Sequence, residues 1–447
     1  MMETMIRDFL RSLHVLAEDI AVESEAEKFS ANLSAGLMSQ GQNFGQAIPM
    51  LPTFLNLGDQ LPQGEPVLVV DAGGTFFRAC IVEFDDDSQV TVGHFSKHPM
   101  PGSLGRVSKE EFYRTFAQAL LPLLPYSRKL GFCFSFACQN LPNHDAVVLQ
   151  LNKEMQAEGV VGTLVGESLR EALRAEGDSG LLDVVVLNDT VAGLLAGYLR
   201  SREGHYSDYL GMVIGTGLNV ASLEAVDQIK KIDPDDLATY SGQFIQAPKR
   251  MIINTECGSY PLDQLSPVDI CIDQKSVNPG NALLEKRISG RYLGAQAYET
   301  LAIACEEGEI FSPAFCQAFA NLPGISSAEL DGFLALEEVN PLRSLPANDS
   351  DWQALRAIAE NVFARAAKYV AVLLAGFHMH LRAGQDPAQP LAINMEGSTY
   401  YKSRFYQEQI QANRKLYLED QMGYYADFLH TADANLIGSA LAAYMNL

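Results

Sequence analysis

One stretch constrains this chain more than any other: residues 67–84, VLVVDAGGTFFRACIVEF. Two apolar runs flank a short polar turn, which predicts strand, tight turn, strand. At the turn sit Asp71, Gly73, Gly74, Thr75 and Arg78. Glycines let the backbone take positive φ and approach a ligand closely. Successive N–H groups in such a turn form a concave nest for anions. Thr75 adds a hydroxyl donor and Arg78 a fixed positive charge. Asp71, ending the first strand, suits a hydrated Mg²⁺, which keeps most of its waters and so would be met through one of them. A plain hairpin explains the same residues, so the rest of the chain decides.

The chain is long enough for two or three domains, with 447 residues. Its formal net charge of −23 excludes the basic face that a nucleic-acid partner wants. It does not exclude an anionic substrate, because local cations and N–H groups outweigh a distant field. The seven cysteines include no C-x-x-C pair matched to downstream histidines and read as free thiols of a reducing compartment. Acidic residues Asp8, Glu18 and Asp19 interrupt the N-terminal region, so no signal peptide is read there. The most apolar uncharged run, 369–381, is shorter than the roughly 18 residues a membrane span needs. A cytoplasmic protein without nucleic-acid or membrane partners is expected, monomer or homodimer.

In chain order, Met5, Ile6, Phe9, Leu10, Leu13, Leu16 and Ile20 predict one amphipathic helix, followed by a Gly/Gln/Pro-rich connection over 41–66. After the hairpin come a polar break at 85–88, a strand at 90–95, a helix at 110–121 and a buried strand at 129–136. Residues 166–174 predict a helix and 177–180 a turn. Residues 184–187 form a short apolar strand ending in Asn188, Asp189 and Thr190, with a helix over 191–199. The carboxyl end of a strand before a helix is where α/β proteins place chemistry. Residues 209–223 repeat the opening logic, with a turn at Gly215, Thr216 and Gly217, and read as a structural echo of it. From 249 onward the chain reads as mostly helical. Ser350 and Gln353 suggest a capping box for a helix over 351–380. His378 and His380 on that helix do not share a face and read as packing or surface residues, not metal ligands. A strand at 391–394 leads into 396–398, and 434–444 is a closing helix.

Two Gly/Thr turns suit a polyphosphate gripped from both sides. Phosphoryl transfer needs positioning, charge stabilisation and a base for the attacking hydroxyl. Asp189 fits the base. Ser135, Lys153, Asn188, Asn219, Glu256 and Glu285 are polar residues at strand or loop edges, the kind a polyol needs, since each hydroxyl both donates and accepts.

Taken together, MLPTF (50–54), DAGGTFFR (71–78), GFCFSFACQ (131–139), LNKEM (151–155), LNDTVAGLLAG (187–197), IGTGLN (214–219), INTECGSY (253–260), NPGNALLEKRISGRYLG (278–294), EGSTYYK (396–402) and IGSALAAYM (437–445) resemble the hexokinase/glucokinase family over nearly the whole chain. The resemblance implies an α/β, two-lobed actin-like ATPase (ribonuclease H-like) fold. Each lobe would hold a mixed sheet with flanking helices, and the active-site cleft would lie between them. The small lobe would span 66–188, joined by the C-terminal helix 434–447; the large lobe would take 1–65 and 189–433. The implied activity is ATP-dependent phosphorylation of a hexose, glucose first, at the 6-hydroxyl, with Mg²⁺ and closure of the lobes on sugar. Asp189 would be the general base. Ser135, Asn152, Lys153, Asn188, Asn219, Glu256 and Glu285 would contact sugar, Lys153 also lying near the transferred phosphoryl. Asp71, Gly73, Gly74, Thr75 and Arg78 would hold phosphates and Mg²⁺ from one side, and Gly215, Thr216 and Gly217 from the other. Gly397, Ser398 and Asn435 would lie towards the nucleotide.

The chain departs from the family pattern at several positions. Asn152 stands for a usual Thr, Leu218 for a polar residue, Cys257 for a common Trp, Phe76 for a usual Asn, and 435–437 (NLI) for Ser-Gly-Lys. Most of these fall on the nucleotide side. They motivate a rival of another class, a non-catalytic sugar sensor on the same fold. Retention of Asp189, Lys153, Arg78 and both turns speaks against it. An actin- or chaperone-like ATPase module explains none of the sugar-facing carboxylates.

Overall fold

The computed structural model describes residues 2–38, 47–58, 64–85, 89–151, 155–201 and 204–447. The expected sugar contacts Asn152 and Lys153, and most of the polar break at 85–88, lie outside these residues.

The N-terminal helix is shorter than its periodicity predicts. Helix α1 (Met2–Ser12) stops because His14 takes a left-handed φ of 57°, and Leu13 and Leu16 reach the core from a turn rather than a helix. A second helix, α2 (Val22–Met38), is one the sequence reading did not anticipate; Phe29, Leu33 and Leu37 form its buried stripe. The two-residue strand β1 (Leu51–Pro52) follows.

The hairpin then forms as expected, from β2 (Val67–Gly73) and β3 (Phe76–Phe84), with β4 (Val90–Pro99) beyond it. Helix α3 (Lys109–Leu120), strand β5 (Lys129–Phe134), helix α4 (Val165–Ala175) and strand β6 (Asp183–Leu187) complete a five-stranded sheet in the order β6-β5-β2-β3-β4. Alternate side chains of β2 serve two cores. Leu68 and Val70 face α3 and α4, while Val67 and Val69 face the opposite side. Burial on both faces explains the unbroken apolar run VLVV.

After helix α5 (Asp189–Ser201), a second hairpin of β7 (Asp208–Ile214) and β8 (Leu218–Ala225) opens the other sheet. Strand β9 (Arg250–Asn254), helix α6 (Asp349–Leu381) and strands β10 (Leu391–Glu396) and β11 (Ala426–Leu429) follow, and helix α7 (Ala434–Asn446) closes the chain. The sheet order is β1-β9-β8-β7-β10-β11. Apart from β1, this repeats the first sheet: a hairpin extended by a third antiparallel strand on one side and two parallel strands on the other. The echo read between the hairpins therefore extends to whole sheets. β9 corrects the expectation of helix beyond 249: MIIN is buried between β8 and β1.

The helix that ends each repeat crosses to the other sheet. α5, which follows β6, packs on β7, β8 and β10; α7, which follows β11, packs on β5, β2 and β6. The two cross each other at Gly438, where a Cβ would lie 1.9 Å from the Ala192 carbonyl oxygen, so only glycine allows the approach.

Helix α6 is capped by Asn348, whose side chain accepts from the Asp351 N–H, not by the Ser350/Gln353 box that was expected. It is long and apolar enough to cross a membrane, but 78% of its most apolar window is buried in the protein, as in a core helix. On it, His378 bonds the Ala383 carbonyl oxygen at 2.8 Å and stacks on Tyr424; burial lowers its pKa to about 4. His380 meets Glu224 at 3.1 Å.

Candidate active site

The first turn is open at its tip. Gly74 takes φ 61°, and Gly74, Thr75 and Phe76 are exposed, while the Met100 N–H donates to the Thr75 carbonyl and pins the turn to the end of β4. Positive φ falls on Gly74 alone; Gly73 remains in the strand. Ser135, just past β5, sits beside it: a Cβ on Gly73 would come within 3.3 Å of the Ser135 hydroxyl.

Asp71 and Arg78 face each other across the hairpin. Arg78 donates from Nε and Nη2 to Asp71 Oδ2 at 2.9 and 2.6 Å, and from Nη1 to Asp433 Oδ1 at 2.9 Å. The other Asp71 oxygen accepts from Asn435 Nδ2 at 3.2 Å. The start of α7 is thus tied to the first turn. Among the described residues, no group of three or more His, Cys, Asp or Glu side chains could hold a metal. Asp71 is the carboxylate at this turn that would hold a hydrated Mg²⁺, an ion that needs only one or two carboxylates and would supply positive charge for phosphate.

Asp189 opens α5. Its Oδ1 and the Oδ1 of Asn188 both accept from the Thr190 N–H, at 2.8 Å each. Burial pushes the Asp189 carboxyl above its usual range and the negative charge of Asp71 adds to this; bonds from Thr190 and Ser135 oppose it. A carboxylate in that state is a stronger base than an exposed one.

On the other side, Gly215 N–H donates to the Gly217 carbonyl at 3.0 Å and closes the second turn. The Gly215 carbonyl accepts from Gly290 N–H and from Thr399 Oγ1. Gly397 lies directly against this turn at φ 107°, where a Cβ would be 2.4 Å from the Ile214 carbonyl. Gly397 and Ser398 therefore join Gly215, Thr216 and Gly217 in one wall. Leu218 donates its N–H to Glu285 Oε2 at 3.0 Å, while its side chain is buried in the core and so needs no polar group.

Asn219 and Glu256 form a closed network. Asn219 Oδ1 accepts from the Glu256 N–H at 3.0 Å, and Glu256 Oε1 accepts from Asn254 Nδ2 at 2.9 Å and Asn219 Nδ2 at 3.3 Å. Burial raises the Glu256 pKa to about 7; the Asn254 bond opposes this, and the charges of Glu285 and Asp189 add to it. Burial likewise raises Glu285. Glu256, Glu285, Asp189 and Asp71 thus share one electrostatic site. Cys257 is fully buried beside them and fills core space.

Four residues of this region escaped the sequence reading. Asn254 sits two positions before Glu256, within a motif already singled out. Glu396 precedes Gly397; burial raises its pKa to about 7, with Asp189 and Asp433 adding to the effect. Asp433 carries no local signal, since its role depends on a left-handed φ of 52° and on Arg78. Lys97 pairs with Arg78 across β3 and β4 and holds its ammonium 4.3 Å from the centre of the Phe76 ring.

Two lobes of repeated sheet order, each presenting a glycine turn towards a shared set of carboxylates, define an actin-like ATPase fold. The chain belongs to the hexokinase family: profiles described as hexokinase match residues 5–199 and 209–445. It is 28% identical to Hexokinase-1 of Homo sapiens over 407 residues, covering 85% of this chain but 42% of that protein, so it spans about two fifths of such relatives. It is 24% identical to Hexokinase-1 of Schizosaccharomyces pombe over 460 residues, covering 96% of this chain and 90% of that one. A solved hexokinase from Schistosoma mansoni complexed with glucose superposes with a TM-score of 0.73 at 21% identity, over 99% of both chains.

Proposed function

We propose that this chain phosphorylates a hexose, with glucose the first candidate, at its 6-hydroxyl using ATP. The observation that carries the reading is Asp189. This carboxylate of raised proton affinity responds both to Asp71 on the first turn and, through Glu256, to the network on the second sheet. The small lobe would be 66–188 with 434–447, and the large lobe 1–65 with 189–433. Glu256, Glu285, Asn219 and Asn188 would accept from and donate to the sugar hydroxyls, with Ser135 beside them. Asp189 would take the 6-hydroxyl proton as that oxygen attacks the terminal phosphorus. Backbone N–H groups of 73–75 and 215–217 would face the phosphates. Mg²⁺, met by Asp71 through water, would neutralise phosphate charge when bound. Asn152 and Lys153 keep the roles the family resemblance implies.

The test is a coupled assay for hexose 6-phosphate with glucose, mannose and fructose across several nucleotides. No product with any of them defeats the proposal. Sugar binding without Mg·ATP binding would put the sensor reading in its place. Asp189→Asn should lower kcat by roughly 10²–10⁴-fold, the usual contribution of a positioned base, with the sugar Kd little changed; a near-normal rate would reject the base assignment.

A further inference from the structure

Phe76 is the departure that the reading above leaves unused. It sits at the tip of the first turn, 46% exposed, where burial offers no reason for an aromatic ring. Register pairs Phe76 with Pro99 and Arg78 with Lys97, so side chains 76, 78 and 97 share one face of the sheet. On that face Arg78 is already engaged by two carboxylates, Asp71 and Asp433. The turn and its immediate partners therefore carry two negative charges against one positive, beside Asp189 and Glu396. That balance repels a polyphosphate. Lys97 is the cation that can cancel it: it is exposed and pairs with no carboxylate among the described residues. Its ammonium lies 4.3 Å from the Phe76 ring centroid, within the range of a cation–π contact.

We propose that Phe76 is a positioning residue for the nucleotide, its ring face holding the Lys97 ammonium at the rim of the first turn where the terminal phosphates would lie. An amide at position 76 would act on phosphate through its own N–H donors. A phenyl ring has no such donor and acts through the neighbouring cation. The ring also restricts a long side chain that would otherwise sample many rotamers, so less freedom is lost when phosphate arrives.

The inference rests on the phosphotransfer reading, and a binding measurement separates the two. Calorimetric titration with Mg·AMPPNP gives the nucleotide Kd without turnover. Phe76→Leu keeps an apolar side chain but removes the π face, and should raise that Kd about two- to five-fold, the worth of an exposed cation–π contact. Phe76→Tyr should restore it. Lys97→Ala should weaken binding at least as much as Phe76→Leu, and adding Phe76→Leu to it should change little further. The glucose Kd should not move in any of these variants, which a merely structural role for Phe76 would not predict. An unchanged nucleotide Kd in Phe76→Leu, failure of Tyr to restore it, or an undiminished effect of Phe76→Leu in the Lys97→Ala background would each overturn the proposal. If the parent chain yields no sugar phosphate yet the nucleotide Kd behaves as stated, the phosphotransfer reading fails and the role of Phe76 stands.

Discussion

Replacing Glu256 by Gln should stabilise the sugar-free protein while spoiling its grip on sugar. The Glu256 carboxyl holds its proton to about pH 7 in the folded chain, against an ordinary value of 4.5. At roughly 1.4 kcal/mol per pH unit, that gap corresponds to about 3 kcal/mol lost from the folded state when the group ionises. The sign follows from linkage. Between pH 4.5 and 7 the folded chain binds more protons here than the unfolded one, so stability falls as pH rises through that window. The full penalty applies above pH 7 and none remains below pH 4.5. Gln carries no charge, and its carbonyl oxygen can still accept from Asn254 and Asn219. Urea unfolding at pH 8 should therefore show the variant about 2–3 kcal/mol more stable than the parent, and at pH 4.5 the two should nearly coincide. In the parent, if the ionised form is the one that takes sugar, the ionised fraction falls from about ten elevenths at pH 8 to about one eleventh at pH 6. The glucose Kd should then rise roughly tenfold between those values. The variant should bind glucose weakly at both. Equal stability of variant and parent at pH 8, or a gap that does not close in acid, would refute the burial argument for Glu256.

Two further outcomes follow from the same contacts. Asn254→Ala removes the donor that opposes the raised Glu256 pKa, so the midpoint of the glucose-binding pH profile should move upward from about 7, as read by titrations across pH 6 to 9. Gly438→Ala places a Cβ 1.9 Å from the Ala192 carbonyl and must force α5 and α7 apart, which should cost about 1–3 kcal/mol in urea unfolding.

Both hairpins were legible in the sequence because their signal is local: an apolar run buried on both faces, a glycine turn, and a second apolar run. The position of Asp189 at the junction of strand and helix was legible for the same reason. The end of α1 at His14 was not, since a left-handed residue in an otherwise periodic stretch leaves the apolar spacing intact. Nor were the contacts joining distant segments. Arg78 meets Asp433 across 355 positions and Asp71 meets Asn435 across 364, and both depend on α7 crossing to the first sheet. That crossing rests on a glycine that reads, in sequence, as one small residue among many in a closing helix. The order of the two repeats explains why these long-range ties fall at the site. Each repeat's final helix begins at the end of its fifth strand and packs on the other sheet, and the starts of both helices converge on Asp71, which Asn435 bonds and whose charge adds to the burial that raises the Asp189 pKa. One start carries Asp189 and the other carries Asp433 and Asn435. Because α5 packs on the second sheet and α7 on the first, the two starts are carried by different sheets and are held to each other through the crossing at Gly438.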